Sequence, residues 1–152
     1  MNLEARLQAM NLVLPEPPKP LGSYVPAADA GGLLFLSGML PVTAQRPGWT
    51  GLVGTELTVA EGRAAARLAA LNGLAAARAA LGSLDRIRRL VRLVVHIASA
   101  PGFGEHAAVA DGASELLSVL FEGAGGHTRL ALGASSLPAN MPVELELIFA
   151  IR

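Results

Sequence analysis

Three features of this 152-residue sequence predict an α+β domain of order ββαβαββ. Two early apolar stretches flank Ala30-Gly31-Gly32. One long alanine-rich segment opens on a capping signal, and two apolar segments with strand alternation close the chain. Residues 1–20 read as an N-terminal helix and a proline-rich connector, and residues 21–152 as a single α+β domain.

In chain order, Leu3, Leu7 and Met10 recur at helical spacing between Asn2 and Leu12. Pro15-Glu16-Pro17-Pro18-Lys19-Pro20 ends that helix and forms a stiff, extended connector. Gly22 to Pro26 and Leu33 to Gly38 are expected to pair as a hairpin about Ala30-Gly31-Gly32. Residues 43–57, rich in glycine and holding Pro47, read as an irregular loop. Thr58-Val59-Ala60-Glu61 is a capping box for a helix running to Leu81 and stopped by Gly82. Its inner face is expected to carry Ala64, Leu68, Leu71 and Ala75, with Leu74 beside them.

Ile87 to Ile97 reads as a strand, with Val91, Leu93, Val95 and Ile97 on one face and Leu90, Arg92, Val94 and His96 on the other. A strand this apolar on both faces is covered on both sides. A second helix spans Ala107 to Phe121, with Ala113, Leu116, Leu117 and Leu120 inward and Gly123 closing it. Strands follow at Thr128 to Ala134 and Val143 to Ile151.

Composition narrows the function. Twelve basic and twelve acidic side chains cancel, which removes the electrostatic footprint of sequence-independent nucleic-acid binding. With no cysteine, disulfides, thiolate catalysis and cysteine-ligated metals are excluded. No apolar run reaches the length of a membrane span, and Glu4 and Arg6 interrupt the pattern of a secretory signal, so a cytoplasmic location is expected. Charged residues make up only 16% of the chain and the mean hydropathy is +0.47, so polar covering is scarce. Two helices cover one face of the sheet, not both. The last strand nonetheless sets Val143, Leu145, Leu147, Phe149 and Ile151 on one face and a mixed Glu144, Glu146, Ile148 and Ala150 on the other. The uncovered face is therefore expected to pack against other subunits.

Arg129 stands out among the candidate functional residues. It shares a strand face with Ala131 and Gly133, whose small size leaves room for a bidentate carboxylate, while Leu130 and Leu132 are expected to face the core. Glu144 and Glu146 lie two residues apart on one strand face and suit water activation. The competing reading is structural: one glutamate pairs with Arg129 and the other with Arg92 or solvent. His96, His106 and His127 are too scattered for a metal triad, and only His127 lies near Arg129 in sequence. The arginines at 86, 88, 89 and 92 lack interleaved aromatics and read as a solvated strand end. Gly123-Ala124-Gly125-Gly126 lacks the lysine and hydroxyl of a phosphate loop.

Two segments carry a family resemblance. Gly22-Ser23-Tyr24 with Leu36-Ser37-Gly38-Met39-Leu40-Pro41-Val42 resembles the opening of the Rid family, and Arg129, Leu137-Pro138 and Val143-Glu144-Leu145-Glu146 resemble its closing signature. These are the YjgF-like proteins, or reactive intermediate deaminases, also described as endoribonuclease L-PSP-like. Val109 to Glu115 resembles a divergent branch.

The resemblance implies a chorismate-mutase-like fold assembled as a homotrimer, with sites in clefts between subunits and no metal or organic cofactor. It implies that Arg129 binds the carboxylate of a 2-imino or enamine acid. Glu144 would activate the water that releases 2-oxo acid and ammonia, and Tyr24 and Ser37 would line the pocket. Ala131 and Ser114 complete the expected substrate-binding set; Ser114 or Gly112 stands where the family carries an asparagine. His127-Thr128-Arg129-Leu130 departs from the family's usual Pro-x-Arg-Ser. The expected partners are a small carboxylate and the chain's own copies, with neither nucleic acid nor membrane. Two alternatives share the anchor or the ancestry: a non-catalytic trimer binding 2-oxo acids, and an endoribonuclease or translation inhibitor.

Overall fold

A computed structural model describes residues 2–152; Met1, the first residue of the predicted N-terminal segment, lies outside the described residues. The elements are α1 (Leu3–Ala9), β1 (Ala27–Ala30), β2 (Leu33–Leu36), β3 (Val42–Thr43), β4 (Arg46–Pro47), α2 (Val59–Leu81), β5 (Ile87–Ala98), α3 (His106–Leu120), β6 (Thr128–Ala134) and β7 (Val143–Ile151). Five strands form the main sheet in the order β1-β2-β7-β5-β6, and β3 and β4 form a separate small hairpin inside the predicted loop. β5 and β6 are parallel, joined across α3, and the other neighbouring pairs are antiparallel. The final strand thus inserts between β2 and β5 and ties the two halves together. The α+β expectation of ββαβαββ with two main helices on one face holds.

The first hairpin forms later in the chain than expected. Gly31 and Gly32 both take positive φ (59° and 78°), the requirement of a tight two-residue turn that matches strand twist. Pairing counts back from that turn, so Leu33–Leu36 meets Ala30–Ala27 and leaves residues 22–26 outside the ladder. Those residues curl over the end of β2 instead. The Ser37 N–H donates to the Pro26 carbonyl at 2.9 Å, and the Ser37 hydroxyl donates to the Val25 carbonyl at 2.7 Å.

The capping box of α2 is present in both directions: the Glu61 N–H donates to Thr58 Oγ1 at 3.1 Å, and the Thr58 N–H donates to Glu61 Oε2 at 2.7 Å. Gly82 ends the helix in the left-handed region at φ 81°. The predicted inner face is only partly right. Ala75 and Leu74 are buried, but Ala64 is exposed and Leu68 and Leu71 are half-buried, while Gly62, Ala65, Ala66, Ala69, Ala70 and Gly73 lie inside. Close approach is the reason. A Cβ on Gly73 would meet Leu147 of β7, and one on Gly62 would stand 3.2 Å from Val109 of α3. Where two helices and a sheet meet this tightly, small residues face inward and leucines move to the flank.

β5 also departs from simple alternation. Register shifts between Ile87 and Arg89 and between Leu90 and Arg92 each insert an extra residue. Leu90 therefore joins Ile87, Leu93, Val95 and Ile97 in the core, the face opposite to the one its spacing predicts, and Val91 is displaced from it. On β7, Val143, Leu145, Leu147 and Phe149 are buried as expected. The opposite face of the sheet carries no helix and exposes Phe35 (41%) and Leu130 (47%).

α1 seats Leu3 and Leu7 in the same core. Its Glu4 carboxylate accepts from Arg78 on α2 at 3.1 and 2.5 Å and from the Leu84 N–H at 3.0 Å. Burial pushes this carboxyl up, but the hydrogen bonds and charge of Arg78 and the Leu84 N–H outweigh it and hold the pKa below the ordinary range. Among the described residues no helix is long and apolar enough to cross a membrane.

The tightest helix contact yields a prediction. A Cβ on Gly112 would lie 2.7 and 2.8 Å from the backbone carbonyl carbon and Cα of Arg63, atoms that cannot rotate away. Gly112→Ala is expected to lower stability by about 1–3 kcal/mol through this overlap, despite alanine's better helix propensity. An unchanged or raised urea midpoint would show that α2 and α3 separate without cost.

Candidate active site

The bend at residues 21–25, the end of β2 and the start of β7 converge on a cavity of about 420 Å³. Its walls include Tyr24, Ser37, Gly38, Leu40, Pro138 and Glu144. A neighbouring cavity of about 430 Å³ shares Ser37, Gly38 and Glu144 and adds His96, Leu137 and Glu146. Local folding places each wall. Tyr24 is pinned by its hydroxyl, which accepts from the Leu21 N–H at 3.0 Å. Leu40 is fixed from behind by Asn72 of α2, 1% exposed, whose amide donates to the Leu40 and Val42 carbonyls at 2.8 and 3.0 Å. Pro138 opens a short turn in which Ala139 and Asn140 both take positive φ.

Gly38 is required by proximity. A Cβ there would land on the Glu144 carboxyl group, within 2.9 Å of its carboxyl carbon. The Glu144 carboxylate accepts no hydrogen bond from any described residue. Its burial pushes the pKa above the ordinary 4.5; His96 pulls it down and the Glu146 charge pushes it up again. Glu146 is held by His96, with Nε2 2.6 Å from Oε2. The expected structural pairing of these glutamates with Arg129 or Arg92 does not occur within the chain.

Arg129 lies elsewhere. It pairs in register with Leu93, a core-facing residue, whereas Glu144 pairs with His96 on the bare face. The two expected site groups therefore stand on opposite faces of one sheet. This reverses the expected strand orientation: Leu130 and Leu132, paired with Val94 and His96, turn to the bare face, and Arg129 and Ala131 turn to the helices. Apolar residues at 130 and 132 and small ones at 131 and 133 fit either direction. The choice falls to α3, which supplies polar partners for the guanidinium.

Arg129 Nη1 donates to Asp111 Oδ1 at 2.5 Å and to Ser114 Oγ at 3.2 Å. The Ser114 hydroxyl, which accepts from the guanidinium, also lies 3.0 Å from His127 Nε2. In the neutral ring one hydrogen is shared along that contact, in the direction the tautomer sets. Burial, reinforced by the Arg129 charge, lowers the His127 pKa and favours this neutral form. Asp111 and Asn72 are contacts that sequence reasoning missed, and Gly38 entered it only as part of the opening segment. Their signals were present: Asp111 and Ser114 are spaced for one helical face, and Asn72 is the lone amide in an alanine-rich helix.

A further cavity of about 530 Å³ opens at the other end of the sheet between α1, the end of α3 and the start of β5. Its Arg6 is already committed to the Leu120 carbonyl at 2.9 Å.

The family model described as "YjgF/chorismate mutase-like, putative endoribonuclease" matches residues 4–151. The chain belongs to this family. It is 43% identical over 149 residues to Protein TCP17 of Trypanosoma cruzi, covering 97% of this chain and 93% of that one. The crystal structure of a "putative endoribonuclease" from Shewanella oneidensis MR-1 superposes with a TM-score of 0.94 at 36% identity, covering 99% and 100% of the two chains. The Escherichia coli protein TdcF with bound serine is more distant, at 26% identity and a TM-score of 0.61, covering 90% of this chain and 94% of that one. The family fold agrees with the resemblance carried by the opening and closing segments.

The environment of Glu144 predicts a pH signature. Its folded pKa lies above its unfolded value, so the folded state binds the extra proton between the two. The stability contributed by Glu144 is then fully present below about pH 4.5 and is lost as pH rises through the raised value. Glu144→Gln, which cannot ionise, is expected to melt higher than wild type at neutral pH and level with it at the acid end. Equal melting temperatures across the whole range would contradict the raised pKa.

Proposed function

We propose that the protein is a hydrolytic deaminase of small 2-imino acids, working as a homotrimer with its sites between subunits. The observation that carries this reading is the convergence of Tyr24, Ser37 and Gly38 on the half-buried Glu144 carboxyl, whose pKa is raised toward the range of a working acid/base. Family membership and the bound serine of the E. coli relative support a small carboxylate as the ligand. The bare sheet face, with Phe35, Leu130 and Ile148 upon it, supports assembly. Arg129 stands on the edge strand β6 with its guanidinium on the helix side, and a neighbouring subunit packed along that edge would bring it to the Glu144 pocket.

In this scheme Arg129 anchors the substrate carboxylate and sets the iminium carbon beside a water held by Glu144. As the water oxygen bonds to C2, the carboxylate takes one of its protons and the C=N π electrons move to nitrogen. The protonated Glu144 then returns that proton to the amino group. The C–N bond breaks as the hydroxyl becomes a carbonyl, and the hydroxyl proton leaves with ammonia through the carboxylate. Tyr24 and Ser37 shape the pocket. The iminium carbon is already electrophilic, so orientation and one proton carrier are sufficient chemistry.

Imino acids made in situ by an amino-acid oxidase provide the test, with 2-oxo acid release as the signal. Wild type is expected to accelerate release, and Arg129→Ala and Glu144→Gln each to lower the rate by roughly 10²-fold or more. No acceleration over buffer would overturn the deaminase reading. Light scattering is expected to give a trimer, dispersed by joint substitution of Phe35 and Leu130 with Asp; a wild-type monomer would overturn the shared site.

A further inference from the structure

We infer that Gln45 is a positioning residue for an apolar wall of the Glu144 cavity, formed by Leu21 and Tyr24, and that this wall receives an apolar substrate side chain. The inference rests on the deaminase reading of that cavity and adds its substrate class: 2-imino acids with an extended, uncharged side chain.

Proline at 15, 17, 18 and 20 keeps the connector extended, and a segment of this kind has no internal hydrogen bonds to hold its end in place. Gln45 supplies them from outside. Its Oε1 accepts from the Lys19 N–H at 2.9 Å, and its Nε2 donates to the Pro17 carbonyl at 3.3 Å. Among the described residues, no other hydrogen bond reaches the backbone of residues 13–20. Lys19 stands two residues before Leu21, so the clip lies immediately ahead of the cavity wall.

The base of the clip is fixed as well. Ala44 and Gln45 are the central residues of the β3–β4 turn, and both take positive φ, 51° and 65°. Residues with side chains rarely adopt that conformation, and it persists only where surrounding contacts hold it. The hairpin begins at Val42, whose carbonyl accepts from the buried Asn72 amide. Bonds therefore run from α2 through the hairpin and Gln45 to the end of the connector.

Beyond the clip, Leu21 and Tyr24 brace each other through the Leu21 N–H and the Tyr24 hydroxyl. Leu21 is 70% exposed, yet it lines the cavity together with the Tyr24 ring, Leu40 and Pro138. The one charge among the lining residues is Glu144. An extended apolar side chain leaves water against these groups. A carboxylate side chain meets the Glu144 charge, and a methyl group covers too little of the wall to gain from it. Without the clip Leu21 moves freely, and its ordering must be supplied when substrate binds.

Imino acids made in situ from methionine and from alanine, over a range of amino-acid oxidase levels, give kcat and KM for an extended and a methyl side chain. Wild type is expected to favour the methionine-derived compound about tenfold in kcat/KM, the scale of partly burying two or three methylene-sized groups. Gln45→Met keeps the length of the side chain and removes both hydrogen bonds. It is expected to cut that preference about fivefold, with the loss in KM for the methionine-derived compound rather than in kcat. Leu21→Ala is expected to cut the preference at least as far, and the double variant no further than Leu21→Ala alone, because Gln45 acts through the wall. Melting curves matched to wild type qualify the variants, and Gln45→Ala replaces Gln45→Met if the latter alters the fold. Three results overturn the inference and leave the deaminase reading standing: no wild-type preference for the longer side chain, a preference that survives in the Gln45 variant, or an equal loss of kcat for both compounds in that variant. No acceleration of either compound by wild type overturns the deaminase reading and the inference with it.

Discussion

The close seating of α2 on β7 and α3 is the constraint from which the rest of the architecture follows. Its inner face is almost wholly alanine and glycine, so the helix axis lies nearer the sheet than leucine would permit. Gly73 admits Leu147, Gly62 admits Val109, and Gly112 lets α3 rest against the Arg63 backbone. Both helices are thereby gathered on one side of a five-stranded sheet, and the other side is left bare. The buried amide of Asn72, on the same helix, carries this rigidity to the loop after β2 that walls the Glu144 cavity.

A sheet covered on one side has two chemically different surfaces, and the functional groups divide between them. Glu144, Glu146 and His96 stand on the bare side, where a carboxyl against Gly38 is half removed from water. Arg129, Asp111, Ser114 and His127 stand on the helix side at an edge strand, where α3 orders the guanidinium. In the proposed function these are two half-sites. The proposed trimer joins them and covers Phe35 and Leu130 in the same event, so burial of apolar surface and completion of the site become one process.

Much of this was legible in residue order. The capping box at Thr58, the stop at Gly82, the second helix and the two closing strands are set by local signals that tertiary contacts leave undisturbed. Tyr24, Ser37 and Glu144 were legible as a group through their resemblance to a family pattern, and they do line one cavity. The misreadings share a cause. The inner face of α2 was assigned by side-chain size, although tight packing selects for smallness. The position of β1 was assigned from apolar and turn composition, although pairing counts outward from the Gly31-Gly32 turn.

By itself, the sequence determined the order of elements, the sheet's lack of covering on one side, the absence of thiol chemistry and the family. The first three depend on composition, capping and periodicity, which are properties of neighbours along the chain; the family rests on the resemblance of the opening and closing segments. Only the tertiary structure decided which way Arg129 points and with whom it pairs. A strand with leucine on one face and alanine or glycine on the other fits in either direction, and the partners that settle the matter, Asp111 and Ser114, lie 18 and 15 residues away on a helix. The two bulges of β5 belong to the same class, because an extra residue in a ladder is visible only against the strand it faces.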